Sequence, residues 1–373
     1  MPDEARLFGA LLLSLAAASV LTPAAIRVAA RSAFFDHPVG YKAHPVPTAY
    51  LGGAALVAAT VLSGSVFARR LDGFWVLAGS AAALWAVGTL DDRISVSPLP
   101  RLIAEAAAGA TLWWFGLGWS LFDFDAGNLV LTVVWVVGAV NAFNLMDNMD
   151  GAAATVGAVC SSCAGFVATL GGDIALGTLA FALAGACLGF LPYNLRAGAS
   201  ARIFLGDGGS MPLGLLVAAI LMSGPLAGKL GWPGLLAAGL VVGLPIFDTV
   251  IVVASRARRG VPVYRGARDH LTHRLSANLR SPREVAIALA LAQIGLGAGA
   301  IAASEIGAPV VDAFAAICIV IGAAGVIVLD TPAWRYEASG LGRPRAASET
   351  LEEAQARRIR AALEQASSSH AEF

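Results

Sequence analysis

Charge is scarce in this sequence. Only 13% of its 373 residues are Asp, Glu, Lys or Arg, about half the share in a soluble domain, while hydrophobic residues reach 57%. A soluble globule of this length would lack the polar surface it needs. The composition therefore points to a chain embedded in lipid, and the mean hydropathy is +0.73. Net charge is absent too, since 25 basic side chains balance 25 acidic ones, and no nucleic-acid partner is expected. Cysteine is sparse, with four residues at 160, 163, 187 and 318, all in apolar stretches. Cys160-x-x-Cys163 has no second ligand pair to complete a zinc site, so the thiols read as small apolar helix residues. The positive n-region of a secretory leader is also missing. The opening MPDEAR carries two acids and one base, so the apolar run from Leu7 to Ala30 reads as a retained first span.

Long apolar stretches, by contrast, are everywhere. They predict an all-α polytopic integral membrane protein with about eleven transmembrane helices, at 7–29, 50–68, 73–90, 99–119, 127–144, 151–171, 173–192, 209–228, 232–254, 284–303 and 309–329. Lipid offers the backbone no hydrogen-bond partners, so spans are helices or strands of a closed barrel. Continuous apolarity without period-2 alternation excludes the barrel. The 42 glycines suit helices that pack closely in lipid. One set of alternate loops holds Arg31, Lys42, Arg93, Arg196, Arg202 and the eight arginines of 256–283. The positive-inside rule makes that set cytoplasmic. An odd span count then puts the N-terminus outside and the C-terminus in the cytoplasm. Residues 1–330 form the transmembrane domain. Residues 331–373 form a polar tail, with Thr350 and Glu353 as a capping box ahead of a helix at 350–366.

Polar residues at span ends are costly beside lipid and mark function. They cluster in places that all fall on the predicted cytoplasmic side. Asp91-Asp92 ends the third span, and two adjacent carboxylates need a cation nearby. Mg²⁺ bridging to phosphate is one solution, and Arg93 and Arg101 are neutralising partners or phosphate clamps. Asn141, Asn144, Asp147, Asn148 and Asp150 lie within ten residues. On a helix, Asn141, Asn144 and Asp147 would share one face, able to hold a metal, a sugar hydroxyl or a uracil edge. Gly206-Asp207-Gly208-Gly209-Ser210 sets one carboxylate among glycines at a helix start. There, free N–H groups and the helix dipole favour a phosphate or a metal–phosphate group. The basic loop carries Asp269, His270, His273 and Arg274, with the histidines at i, i+3 beside a base, a pattern suited to a diphosphate. A zinc site there lacks a third strong ligand. A softer stretch holds Asp36, Lys42, His44 and three prolines, followed by Gly52-Gly53, and could order around an anion.

In that order, these motifs resemble the polyprenyl-phosphate N-acetylhexosamine-1-phosphate transferases, glycosyltransferase family 4. The resemblance runs from about residue 35 to 275, through Asp36-x-Pro38, Lys42-x-His44-x-x-Pro47-Thr48, Gly52-Gly53, Asp91-Asp92, Asn141-x-x-Asn144-x-x-Asp147-x-x-Asp150-Gly151, Phe204-x-Gly206-Asp207-x-Gly209-Ser210-x-x-x-Gly214 and Asp269-His270-x-x-His273-Arg274-Leu275. It implies a UDP-sugar donor, undecaprenyl phosphate as acceptor, dependence on Mg²⁺ (or Mn²⁺), and a site on the cytoplasmic face of a bacterial inner membrane. It leaves a homodimer open. By the same resemblance, Asp207 binds the metal with Asp147 as a second candidate ligand, and Asp91 and Asp92 are catalytic, acting on the acceptor phosphate or the metal. Lys42, His44, Arg101, Asn141, Asn144, Asp150, His270, His273 and Arg274 would bind substrate.

The sequence departs from the family pattern in three places. Arg101 stands where relatives usually carry lysine, and clamps phosphate as a fork rather than a point charge. Asp147-Asn148 replaces a common Asp-Gly, which makes a helical backbone easier than a turn there. The three consecutive histidines of the MurNAc-pentapeptide enzymes are missing. That favours the branch which starts surface-polysaccharide chains with a HexNAc-1-phosphate. Within the reaction, direct attack by the acceptor phosphate competes with an aspartyl-phosphate intermediate, and direct attack is favoured. Among other classes, a transporter or flippase would place its acids near the midplane and show repeats. A CDP-alcohol phosphotransferase would need a denser run of aspartates.

Overall fold

A computed structural model describes residues 2–36, 47–262 and 267–334. Lys42, His44, Arg265, Thr350, Glu353 and most of the polar tail lie outside the described residues. The chain runs through α1 (Asp3–Arg31), β1 (Phe35–Asp36), β2 (Thr48–Ala49), α2 (Gly52–Phe67), α3 (Phe74–Ile94), α4 (Pro98–Trp114), α5 (Asp125–Met146), α6 (Ala152–Leu170) and α7 (Ile174–Asn194). It continues through α8 (Asp207–Ser223), α9 (Pro225–Leu230), α10 (Trp232–Val241), α11 (Gly243–Arg259), α12 (Leu271–Ser276), α13 (Pro282–Ile306) and α14 (Ala308–Leu329).

The all-α polytopic architecture matches the apolar pattern, and each of the expected stretches carries helix. The number long and apolar enough to cross a membrane is smaller, however: among the described residues, eight, or nine if α10 and α11 count as one. α2 and α4 have only 16 and 17 residues, short of the usual span of about 20. The stretch at 232–254 is broken, with α10 and α11 meeting at 82°. Pro245 accounts for the break, because it has no N–H and its ring crowds the carbonyl four residues back. The freed backbone groups are taken by a buried side chain on α13. Gln293 Oε1 accepts the Leu244 N–H at 3.0 Å, and its Nε2 donates to the carbonyls of Leu240 and Val241 at 3.2 and 3.0 Å. Broken helices persist in lipid where such partners exist.

α8 forms the centre, packed by α2, α3, α5 and α6, and 76% of the apolar span it makes with α9 is buried. The corresponding figure for α14 is 11%, and Ile319, Val320 and Ile321 stand exposed on it. In water such a patch would drive association; in lipid it is ordinary surface. β1 pairs with β2, and β2 leads to the start of α8. Phe204 N–H donates to the Ala49 carbonyl at 2.8 Å, while Gly52 and Gly53 N–H groups donate to the carbonyls of Phe204 and Leu205.

Candidate active site

Six helix ends meet on one face: the last turns of α3, α5 and α7 and the first turns of α4, α6 and α8. That alternation is what neighbouring helices running in opposite directions produce. The polar residues at those ends become neighbours although they lie far apart in the chain.

Arg101, in the first turn of α4, is the hub. Its Nη1 lies 2.5 Å from Asp91 Oδ2 and 2.9 Å from Asp207 Oδ2, and its Nη2 donates to Asn144 Oδ1 at 2.9 Å. Asn144 donates in turn to Asp207 Oδ1 at 2.6 Å and to the Ser210 hydroxyl at 3.0 Å. The other oxygen of Asp91 accepts the Val96 N–H at 2.5 Å. A planar guanidinium can meet two carboxylates and an amide at once; an ammonium has no such fixed fork.

Asp92 faces the start of α8. Its Oδ1 accepts the Asp207 N–H at 3.0 Å and its Oδ2 the Gly208 N–H at 3.1 Å. The sequence leaves these N–H groups free for a phosphate, but the structure gives them to a carboxylate from α3, which caps the helix and complements its dipole. Close backbone approach makes this feasible. Gly206 has φ +70°, and a Cβ there would lie 2.6 Å from Asp92 Oδ2; a Cβ on Gly88 would lie 2.3 Å from the Asp207 carbonyl oxygen.

The 141–151 segment divides between partners. Asn141 donates to Glu105 and to the Val137 carbonyl. α5 ends at Met146, so residues 147–151 form a turn and not the helical continuation expected from Asp147-Asn148. Asp147 Oδ2 accepts the Gly206 N–H at 3.0 Å. Burial first, then the charges of Asp207 and Asp92, push its carboxyl well above the usual range. Asp150 Oδ2 accepts the Ala201 N–H at 3.2 Å, and Asn194 on α7 holds the Gly151 N–H at 2.6 Å.

The histidine loop joins this face through Thr272, whose hydroxyl donates to Asn148 Oδ1. The His270 and His273 rings are 6.1 Å apart. Burial, then the charges of His270 and Arg268, push His273 down to about 3, so it is neutral at physiological pH. Asp269 is gripped by Arg256 at 2.8 Å and Arg259 at 2.6 Å. Burial alone would raise its carboxyl, but those bonds and charges outweigh it and hold it at about 2. Arg274 turns toward α14, where it binds the Leu329 carbonyl at 2.5 Å and Asp330 at 3.1 Å. The structure therefore brings Asp91, Asp92, Arg101, Asn144, Asp147 and Asp207 together, sets His270 and His273 alongside, and engages Asn141 and Arg274 elsewhere.

Among the polar residues with structural partners that escaped the sequence reading are Glu105, Asp248, Gln293, Asp330 and Asn194. The first three stand alone inside apolar stretches, and that isolation was the available signal.

Asp92 and Asp147 bond the Gly206–Gly208 backbone, while Asp91 and Asp207 pair with Arg101 beside it. Such an oxygen-only, acid-rich donor set fits Mg²⁺, which takes one or two carboxylates and completes its shell with water and phosphate. Among the described residues no three acids or histidines form a closed metal cage, and such a shared site does not require one.

The model of the family described as "Glycosyl transferase family 4" matches residues 74–224. The chain is 30% identical to the decaprenyl-phosphate N-acetylglucosaminephosphotransferase of Mycobacterium tuberculosis, over 71% of this chain and 74% of the relative. It is 29% identical to the probable undecaprenyl-phosphate N-acetylglucosaminyl 1-phosphate transferase of Bacillus subtilis, over 73% and 78%. It is 26% identical to the undecaprenyl-phosphate alpha-N-acetylglucosaminyl 1-phosphate transferase of Escherichia coli, over 71% and 75%.

Proposed function

The chain belongs to glycosyl transferase family 4, and from that premise we propose that it transfers N-acetylglucosamine 1-phosphate, or that of a close 2-acetamido sugar, from a UDP-sugar to a polyprenyl phosphate, releasing UMP. The observation that carries this reading is the convergence of Asp91, Asp207 and Asn144 on Arg101 at the start of α8. Phosphoryl transfer needs mostly positioning and charge neutralisation, and this cluster supplies both. The site faces the cytoplasm of a bacterial inner membrane, where the basic loops lie.

Asp207 and Asp147 are the residues that would hold Mg²⁺, which when bound offsets charge on the donor diphosphate. Arg101, with five N–H donors on its guanidinium, would have donors left for a phosphate beyond its bonds to Asp91, Asp207 and Asn144. Asn144 and Asp150 line the donor pocket, and His273 offers a neutral imidazole to the sugar–diphosphate. Asp91 and Asp92 each have both oxygens engaged, which favours direct attack by the acceptor phosphate over an aspartyl intermediate. Either acid is a candidate for taking a residual acceptor proton, and Asp92 also holds α8 in place.

The acceptor's tail has a place beside this cluster. An apolar cavity of about 350 Å³ lies between α5 and the broken α10–α11 pair, lined by Val134, Trp135, Ala142, Phe143, Pro245 and Ile246. Ala142 and Phe143 immediately precede Asn144, so an isoprenoid chain there would bring its phosphate to the polar cluster.

The test is purified protein with undecaprenyl or decaprenyl phosphate, a panel of UDP-sugars, and Mg²⁺ supplied or chelated. Expected is UMP release with UDP-GlcNAc, none with UDP-MurNAc-pentapeptide, and loss on chelation. Asp207→Asn should insert and purify normally yet lose most turnover. Efficient use of the pentapeptide donor would overturn the assignment of branch.

A further inference from the structure

Asp248 lies in the middle of α11 and is 0% exposed, and the mechanism above gives it no task. A buried acid in an apolar helix is expensive and needs a reason. Both its oxygens are bound to one short stretch of chain. Oδ1 accepts the Leu271 N–H at 2.5 Å, and Oδ2 lies 2.9 Å from His270 Nδ1. His270 immediately precedes α12 and Leu271 begins it, and the His270 side chain makes no capping hydrogen bond. An acid from another helix therefore fixes both the start of α12 and the ring that precedes it.

The Asp248–His270 bond holds a single proton, and with that proton on Nδ1 both oxygens of Asp248 act as acceptors. Nε2, across the ring, is then the nitrogen left for other work, and its chemistry is set by the bond at Nδ1. The neighbouring charges have other partners: Asp269 is held by Arg256 and Arg259, and Arg274 by Asp330. His273 is close, at 6.1 Å between ring centres, and is neutral. Asp248 is thus the carboxylate that His270 is hydrogen-bonded to.

We propose that Asp248 is a positioning residue that fixes the orientation and protonated nitrogen of His270, so that Nε2 is presented to the donor's diphosphate. The proposal rests on the donor reading above. A merely structural Asp248 would cap α12 and nothing more.

A double-mutant cycle separates the two. Asp248→Asn, His270→Ala and the double variant are assayed for kcat/KM with UDP-GlcNAc, alongside the wild type. Asp248→Asn offers one acceptor and one donor where two acceptors stood, so the ring must turn or change tautomer. An expected loss is about tenfold to a hundredfold, with the double variant within about threefold of His270→Ala alone. A double variant that loses the full Asp248→Asn factor on top of His270→Ala overturns the proposal.

Nitrogen-15 spectra of histidine-labelled wild-type protein in detergent give a second readout, with the His270 signal assigned by its loss in His270→Ala. A proton on Nδ1 supports the proposal, and a bare Nδ1 overturns it. This measurement decides alone if Asp248→Asn fails to purify or if the wild type proves inactive with the UDP-sugars. Inactivity of the wild type would count against the donor reading and not against the Asp248–His270 bond.

Discussion

Replacing Arg101 with methionine tests the centre of the site. The side chain is 19% exposed and holds two acids and an amide. Methionine keeps an unbranched apolar stem but stops short of the guanidinium and removes every donor, leaving Asp91 and Asp207 facing each other without the cation between them, with Asp92 close by. Breaking a largely buried charge pair by removing one partner costs about 3–5 kcal/mol. If the full amount falls on the transition state, kcat/KM drops by about two to four orders of magnitude, at 1.36 kcal/mol per tenfold. Arg101→Lys should fall between, because a point charge reaches one acid or the other but cannot hold both and the amide in one plane. The assay is UMP release from UDP-GlcNAc with a polyprenyl phosphate. Size-exclusion profiles and thermal melts in detergent confirm that the variant is folded. Arg101→Met turning over within about threefold of wild type, with normal metal dependence, would refute the idea that this guanidinium organises the site.

Two further outcomes are expected. Gly206 has φ +70° and ψ 177°, a region essentially reserved for glycine, so Gly206→Ala should cost about 1–3 kcal/mol. Because its Cβ would press on Asp92 Oδ2, activity should fall at least about tenfold in protein that still inserts; near wild-type turnover would remove Asp92 from the role of cap. For His273 the pKa in the folded protein, about 3, lies below its ordinary 6.5. The unfolded chain therefore binds the extra proton first, so this residue's contribution to stability is present above pH 6.5 and is lost as pH falls toward 3. His273→Asn should accordingly lose less melting temperature than wild type between pH 7 and pH 4.5, and equal losses would show that His273 is not buried neutral.

Much of this protein was legible without a structure because lipid simplifies the reading. A backbone in hydrocarbon must bond to itself, so each long apolar run becomes a helix whatever its neighbours are, and a carboxylate at a run's end stands out by its cost. The apolar runs therefore determined the helices, and Asp91, Asp92, Asn144, Asp147 and Asp207 could be picked from composition and position alone. Their pairing could not. Asp92 caps α8 across 115 positions of chain, and Arg101 joins α3, α5 and α8, contacts that depend on which helix ends meet and that leave no local period to detect. The same holds for Gln293 repairing the break at Pro245 and for Asp248 holding His270. In each case a single polar residue in an apolar run signals only that a partner exists. Tertiary packing chooses the partner, because a buried donor or acceptor is satisfied by whatever group the folded chain brings within about 3 Å.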